Sequence, residues 1–207
     1  MKQERNEKTN GFYHAQICSA VSSRFFNSNN ERAFVSLQIQ QLLTFRSVLE
    51  DPLYAKSLAH HIDLLAYSIT EEGIQLLAYC IDISSLHHCL AILTERLNQY
   101  RSEYRAPAHY FNISTSVSLR KLTGEHEALS ISADIHLIHK DWEYDRYSSI
   151  GFYLNDRRGD WMRLWRLARL YENDAAAYRA YVQNKHQTYR NFDSFELLSN
   201  QERVMKA

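Results

Sequence analysis

Histidine pairs, tyrosines near one another and arginines three residues apart are the side chains here with the means to do chemistry. His60-His61, His87-His88 and His136/His139 offer imidazoles. A divalent metal needs three or more such ligands converging on one point. On a helix, His136 and His139 would share a face, but no third ligand stands at useful spacing. Hydrogen-bonded or solvated imidazoles are therefore expected. Tyr144 and Tyr147 could serve as nucleophiles, yet a phenol needs a metal or a base to activate it. Without one they read as packing residues with a polar tip. Arg163, Arg166 and Arg169 could grip phosphates or form a solvated helix face. Arg96, Arg101 and Arg105 pose the same choice. With Arg120 and Lys121, these make up the candidate nucleic-acid-binding residues. Glu71 or Glu72 could bind a cation at a turn. No glycine-rich phosphate loop, Ser-His-Asp arrangement or Cys-His pairing is present.

The elements that must position these groups follow from periodicity. Residues 12–21 predict a strand. Asn29-Asn30 predicts a helix start, with Ala33, Phe34, Leu37, Gln41 and Phe45 carrying the helix to about residue 49, where Asp51-Pro52 ends it. Residues 53–60 read as a linker or short helix. Strands near 62–69 and 74–82 flank Glu71-Glu72-Gly73, a turn in which glycine is expected to supply positive φ. Ser84-Ser85 is expected to cap a helix over 85–104, with Leu86, Leu90, Leu93 and Leu97 at helical spacing and Pro107 at its exit. A loop and short strand are expected over 110–119, a helix over 125–136 and an irregular aromatic stretch over 140–156. Two further helices are expected: one with Trp161, Leu164, Trp165 and Ala168 on a single face, and one from Ala175 to Lys185. The strand-helix-strand-strand-helix-strand order predicts an α+β fold, a ferredoxin-like antiparallel sheet with helices packed on it, plus a C-terminal helical extension. The expected division is a mobile tail at 1–10, an α+β domain at 11–156 and the extension at 157–207.

Several stretches, in order along the chain, carry a family pattern. Phe12-Tyr13-His14 is similar to an L-Y-H opening strand. Phe25-Phe26 followed by Asn30-Glu31-Arg32-Ala33-Phe34 is similar to I-F-x-x-x-E-x-R-x-x-F. Leu93–Tyr100 is similar to L-x-G-R-Y-T-Q-x-F, and His109-Tyr110-Phe111 to the H-L-F/L-W-Q that follows. Tyr147-Ser148-Ser149 with Phe152-Tyr153-Leu154 is similar to W-x-Y-S-S-x-x-x-Y-L. Residues 66–78, AYSITEEGIQLLA, resemble a core hairpin that reads roughly A-Y-C-x-M-P-N-H-x-H-L-L-L. The chain thus resembles the REP-associated tyrosine transposases of the HUH single-tyrosine superfamily. The resemblance implies an HUH fold and DNA processing, with the His-x-His pair binding a divalent metal. Here the two histidine positions hold Gly73 and Gln75. The family's tyrosine position matches Asp134, and Leu137-Ile138-His139-Lys140 stands where N-P-V would follow. The arginine near the end of the first strand is missing from Ile17-Cys18-Ser19.

The expectation is therefore a transposase-like protein with a degenerate active site and no catalytic residues, no metal and no cofactor, retaining hairpin or single-stranded DNA binding. Two alternatives stand beside it. One is a protein-interaction module on the same scaffold. The other is an active, metal-dependent strand transferase with a relocated site and a tyrosine nucleophile. The expected state is monomer or homodimer.

Charge bears on these choices. The chain has 24 basic and 24 acidic residues and a net charge of zero, which opposes simple electrostatic DNA binding. Basic residues nevertheless cluster. Five face one acid between Arg96 and Lys121, and eight face three between Arg157 and Arg190. Cys18, Cys80 and Cys89 match no disulfide or zinc pattern, and Cys18 and Cys80 are expected as buried thiols. No run approaches the ~18 apolar residues of a membrane span. The polar MKQERNEKTN start lacks a signal core, so no membrane partner and a cytoplasmic location are expected.

Overall fold

A computed structural model describes residues 10–20, 24–26, 28–44, 61–104, 115–139, 141–159 and 161–204. The expected tail at 1–10 (Asn10 excepted), the linker at 53–60, Pro107, Arg105 and the His109-Tyr110-Phe111 stretch lie outside these residues. Four strands form one sheet: β1 (Gly11–Ser19), β2 (Ile62–Ile69), β3 (Gly73–Cys80) and β4 (Thr115–Lys121). The order is β2-β3-β1-β4 and every neighbour is antiparallel. Helix α1 (Asn29–Thr44) links β1 to β2, and α2 (Ile83–Tyr104) links β3 to β4. That is the split βαβ of ferredoxin-like proteins. Beyond it lie α3 (Glu125–Leu137), two short helices, α4 (Ile150–Tyr153) and α5 (Trp165–Ala168), and a long α6 (Ala175–Val204).

The sheet is covered on both faces. On one face Tyr13, Ala15, Ile17, Ile74 and Leu76 pack with Val35 and Ile39 of α1 and with the expected Leu86, Leu90, Leu93 and Leu97 stripe of α2. On the other, Phe12, Leu65, Ala66 and Leu77 pack with Ala128, Ala133 and Ile135 of α3 and Tyr178 and Val182 of α6. Burial from both sides explains why β2 and β3 carry near-continuous apolar runs instead of strict alternation. A bulge between Leu64 and Ala66 puts Leu65 and Ala66 in the same core. The outer edge of β2 is bordered by the C-terminal part of the chain, through bridges from Ser68 to Ser148 and from Leu64 to Met162.

Several local expectations are corrected. The hairpin glycine is not in the left-handed region. Gly73 is needed for clearance, since a Cβ there would sit 2.2 Å from the Ile17 carbonyl oxygen. Helix α1 is capped by Ser28, whose Oγ accepts the Glu31 N–H at 3.2 Å, not by Asn29-Asn30. Helix α2 is capped by Asp82, which accepts the Ser84 N–H at 3.0 Å, in place of Ser84-Ser85. Cys18 is exposed, whereas Cys80 and Cys89 are buried. Trp161 and Ala168 are buried but Trp165 is 61% exposed, so the expected single face is broken. Helix α6 continues to Val204 because residues 186–204 contain no proline or glycine to stop it.

Candidate functional site

Alternation along β3 places Gly73, Gln75, Leu77 and Tyr79 on the sheet face that α3 covers, since Leu77 belongs to the core beneath that helix. His14 and Gln16 of β1 share the face. His14 Nε2 and Gln75 Oε1 are 3.1 Å apart, and the Ser118 hydroxyl of β4 donates to Gln16 Oε1 at 3.3 Å. His14, Gln16 and Gln75 form a polar strip at the Gly73 end of an otherwise apolar face.

Asp134 of α3 stands above this strip. Its field reaches His14, tending to raise an imidazole pKa that burial and Arg120 pull below the usual value. Two residues of α6 engage the carboxylate. The Lys185 ammonium is 2.9 Å from Oδ1, and the Tyr189 hydroxyl donates to the same oxygen at 2.6 Å. Lys185 also donates to the Ser130 carbonyl and hydroxyl, each at 2.6 Å. Burial, reinforced by the bond to Asp134, pushes the Tyr189 phenol up to about 12. A phenol held in its neutral form is the opposite of an activated nucleophile.

Gly73 and Gln75 thus share the sheet face beneath α3, and the Asp134 carboxylate of α3 is held by Lys185 and Tyr189 of α6. An imidazole at position 73 has no room, because its Cβ would overlap the Ile17 carbonyl. Among the described residues, no group of three His, Cys, Asp or Glu side chains is arranged to hold a metal. His136 and His139 do not pair. His136 is fully buried, 2.8 Å from the Tyr178 hydroxyl and 2.7 Å from Ser149 Oγ, and burial pulls its pKa to about 3. His139 lies past the end of α3, 3.3 Å from Asp145. His61 contacts Ser85 at 3.2 Å. Tyr147 is buried and donates to the Asn29 carbonyl, while Tyr144 is exposed.

The candidate arginines are dispersed. Arg96 donates to Gln38 at 2.6 Å. Arg101 is buried, 3.6 Å from Glu31, with its guanidinium over the Phe25 ring. Arg120 pairs with Glu127 at 2.8 Å, Arg166 with Asp63 at 2.5 Å and Arg169 with Glu125. Lys121 and Arg163 are exposed. A feature that sequence reasoning does not single out lies at the amino end of α1. There a polar hollow of about 280 Å³ is lined by Arg24, Phe26, Ser28, Asn29, Arg32 and Glu71, with Arg24 3.8 Å from the Glu71 carboxylate. Sequence reasoning also passes over His14, Lys185 and Tyr189 as site residues. Only the polar alternation of His14 and Gln16 in β1 signals the strip, and no local pattern links α6 to Asp134.

Compared with known proteins, the chain matches no family model, no curated protein and no solved structure.

Proposed function

We propose that this chain is a transposase-like protein of the HUH single-tyrosine type without strand-transfer chemistry, acting by binding single-stranded or hairpin DNA. The observation that carries the reading is that Gly73 and Gln75 share the sheet face that α3 covers, with Asp134 of α3 near enough to His14, the partner of Gln75, to act on its charge. On that reading Gly73 and Gln75 stand where the family keeps its metal ligands and Asp134 where it keeps its tyrosine; a side chain at 73 would meet the Ile17 carbonyl, and Lys185 and Tyr189 hold Asp134. The split βαβ order supports the scaffold assignment, and the motif order along the chain supports the family. For binding, the exposed Lys121 and Arg163 and the half-buried Arg32 at the amino end of α1 lend positive charge, Arg24 beside it being matched by Glu71. Incubating the protein with labelled hairpin DNA in magnesium or manganese tests the proposal. A shifted band without cleavage is expected. Site-specific cleavage or a tyrosine–DNA adduct would sink the inactive reading, and absence of binding at low salt would sink DNA retention.

One observation favours a second reading, a protein-interaction module. Arg101, Arg120, Arg166 and Arg169 all spend their charge on carboxylates of this chain. Purification from cells with a single stoichiometric protein and no nucleic acid would select it.

A further inference from the structure

Of three tryptophans, Trp142 and Trp161 are 5% and 7% exposed, while Trp165 is 61% exposed. This indole is held in place. The Arg166 guanidinium lies against two rings, 3.7 Å from the centroid of Tyr79 and 4.5 Å from that of Trp165. Asp63 fixes the guanidinium through Nε at 2.5 Å. Tyr79 is in turn braced edge-on by Phe12 at 5.1 Å. A stack anchored on two central strands thus presents a large, exposed aromatic surface at the start of α5.

We infer that Trp165 is a stacking platform for a base of single-stranded DNA; this deepens the DNA-binding reading and rests on it. Stacking needs a rigid π-face next to cations that can follow a phosphate backbone. Trp165 offers the face, and Arg163 and Arg169 are exposed two residues before it and four after; the Arg169 pair with Glu125 is largely exposed, so exchanging it for a phosphate costs little. A cationic ligand is disfavoured, since Arg166 already occupies an attractive face of the ring. An apolar protein partner would find a lone indole with the Arg166 guanidinium against it in place of a continuous apolar patch. A planar base fits the exposed ring, and exposed guanidinium groups close by in the chain can meet its phosphates.

The buried positions of Trp142 and Trp161 make acrylamide-quenchable emission a native reporter of Trp165. A short oligothymidylate is expected to protect that emission. A strand of equal length with abasic sites is not. By anisotropy of a labelled strand at low salt, Trp165→Ala is expected to weaken binding about tenfold, the size of one base–aromatic stack. Trp165→Phe should retain most of it, and circular dichroism should show both variants folded. If the abasic strand protects equally, or Trp165→Ala binds as the parent does, the stacking assignment is wrong while DNA binding stands. If no strand binds the parent protein, both fall.

Discussion

His136 shows how a residue that looks like a metal ligand becomes structural. Its ring joins Tyr178 of α6 to Ser149, whose hydroxyl in turn donates to the Tyr67 carbonyl and accepts the Tyr67 N–H. The chain of bonds closes with a neutral imidazole carrying its proton on Nε2, an assignment set by the network. Burial pulls the folded-state pKa to about 3, well below the ordinary value. The neutral ring's contribution to stability is therefore complete above the unfolded pKa of about 6.5 and is lost progressively as pH falls toward 3. The melting temperature should drop between pH 7 and pH 5, and the drop should be shallower in His136→Gln. Removing the phenol with Tyr178→Phe leaves buried His136 and Ser132 short of a partner. A loss of about 1–3 kcal/mol in urea unfolding is expected. Gly73 gives a different kind of test. A Cβ added there would stand 2.2 Å from the Ile17 oxygen, so Gly73→Ala should cost about 1–3 kcal/mol in the same measurement as the β1–β3 pairing shifts.

At the scale of elements, α6 matters most. It runs well beyond the Lys185 end that the sequence predicts, and its role has no local signature. Tyr178 and Val182 enter the core under α3, and Lys185 and Tyr189 extend the contact to Asp134. The Asp134 carboxylate is about a third exposed, so solvent screening limits what that ion pair contributes. Asp134→Ala should therefore cost no more than about 1 kcal/mol, as measured by chemical unfolding. A larger loss would show that the Lys185–Tyr189 clamp, and not the apolar contacts, holds α6 in place. The α2 stripe is legible in the sequence because leucines recur at helical spacing. The caps are harder to place, because Ser28, Asn29, Asn30, Asp82, Ser84 and Ser85 all have cap chemistry. Which of them accepts a backbone N–H depends on where the helix turns begin.

For the whole molecule, net charge is zero and several candidate arginines are neutralised within the fold. Binding to DNA should consequently show a shallow salt dependence. A log–log slope between about −1 and −3 corresponds to only one to three released counterions. Titrating affinity against salt concentration measures it, and a slope near about −6 would mean that the internal pairs open on binding. No described helix is long and apolar enough to cross a membrane.

Sequence alone was sufficient for the order of strands and helices, the ferredoxin-like sheet and the apolar stripe of α2, because each depends on local periodicity and short connections. It also singled out Gly73, Gln75 and Asp134. Tertiary structure decided what surrounds them. Only the close approach of β1 and β3 shows that Gly73 is required for space, and only the docking of α6 brings Lys185 and Tyr189 to Asp134. The arginines make the same point. Spacing marks Arg101, Arg166 and Arg169 as a possible phosphate grip, yet Glu31, Asp63 and Glu125, distant in the chain, arrive as their partners. Pairing between charges far apart in sequence leaves no local trace, since it is set by how sheet and helices pack and not by any single element.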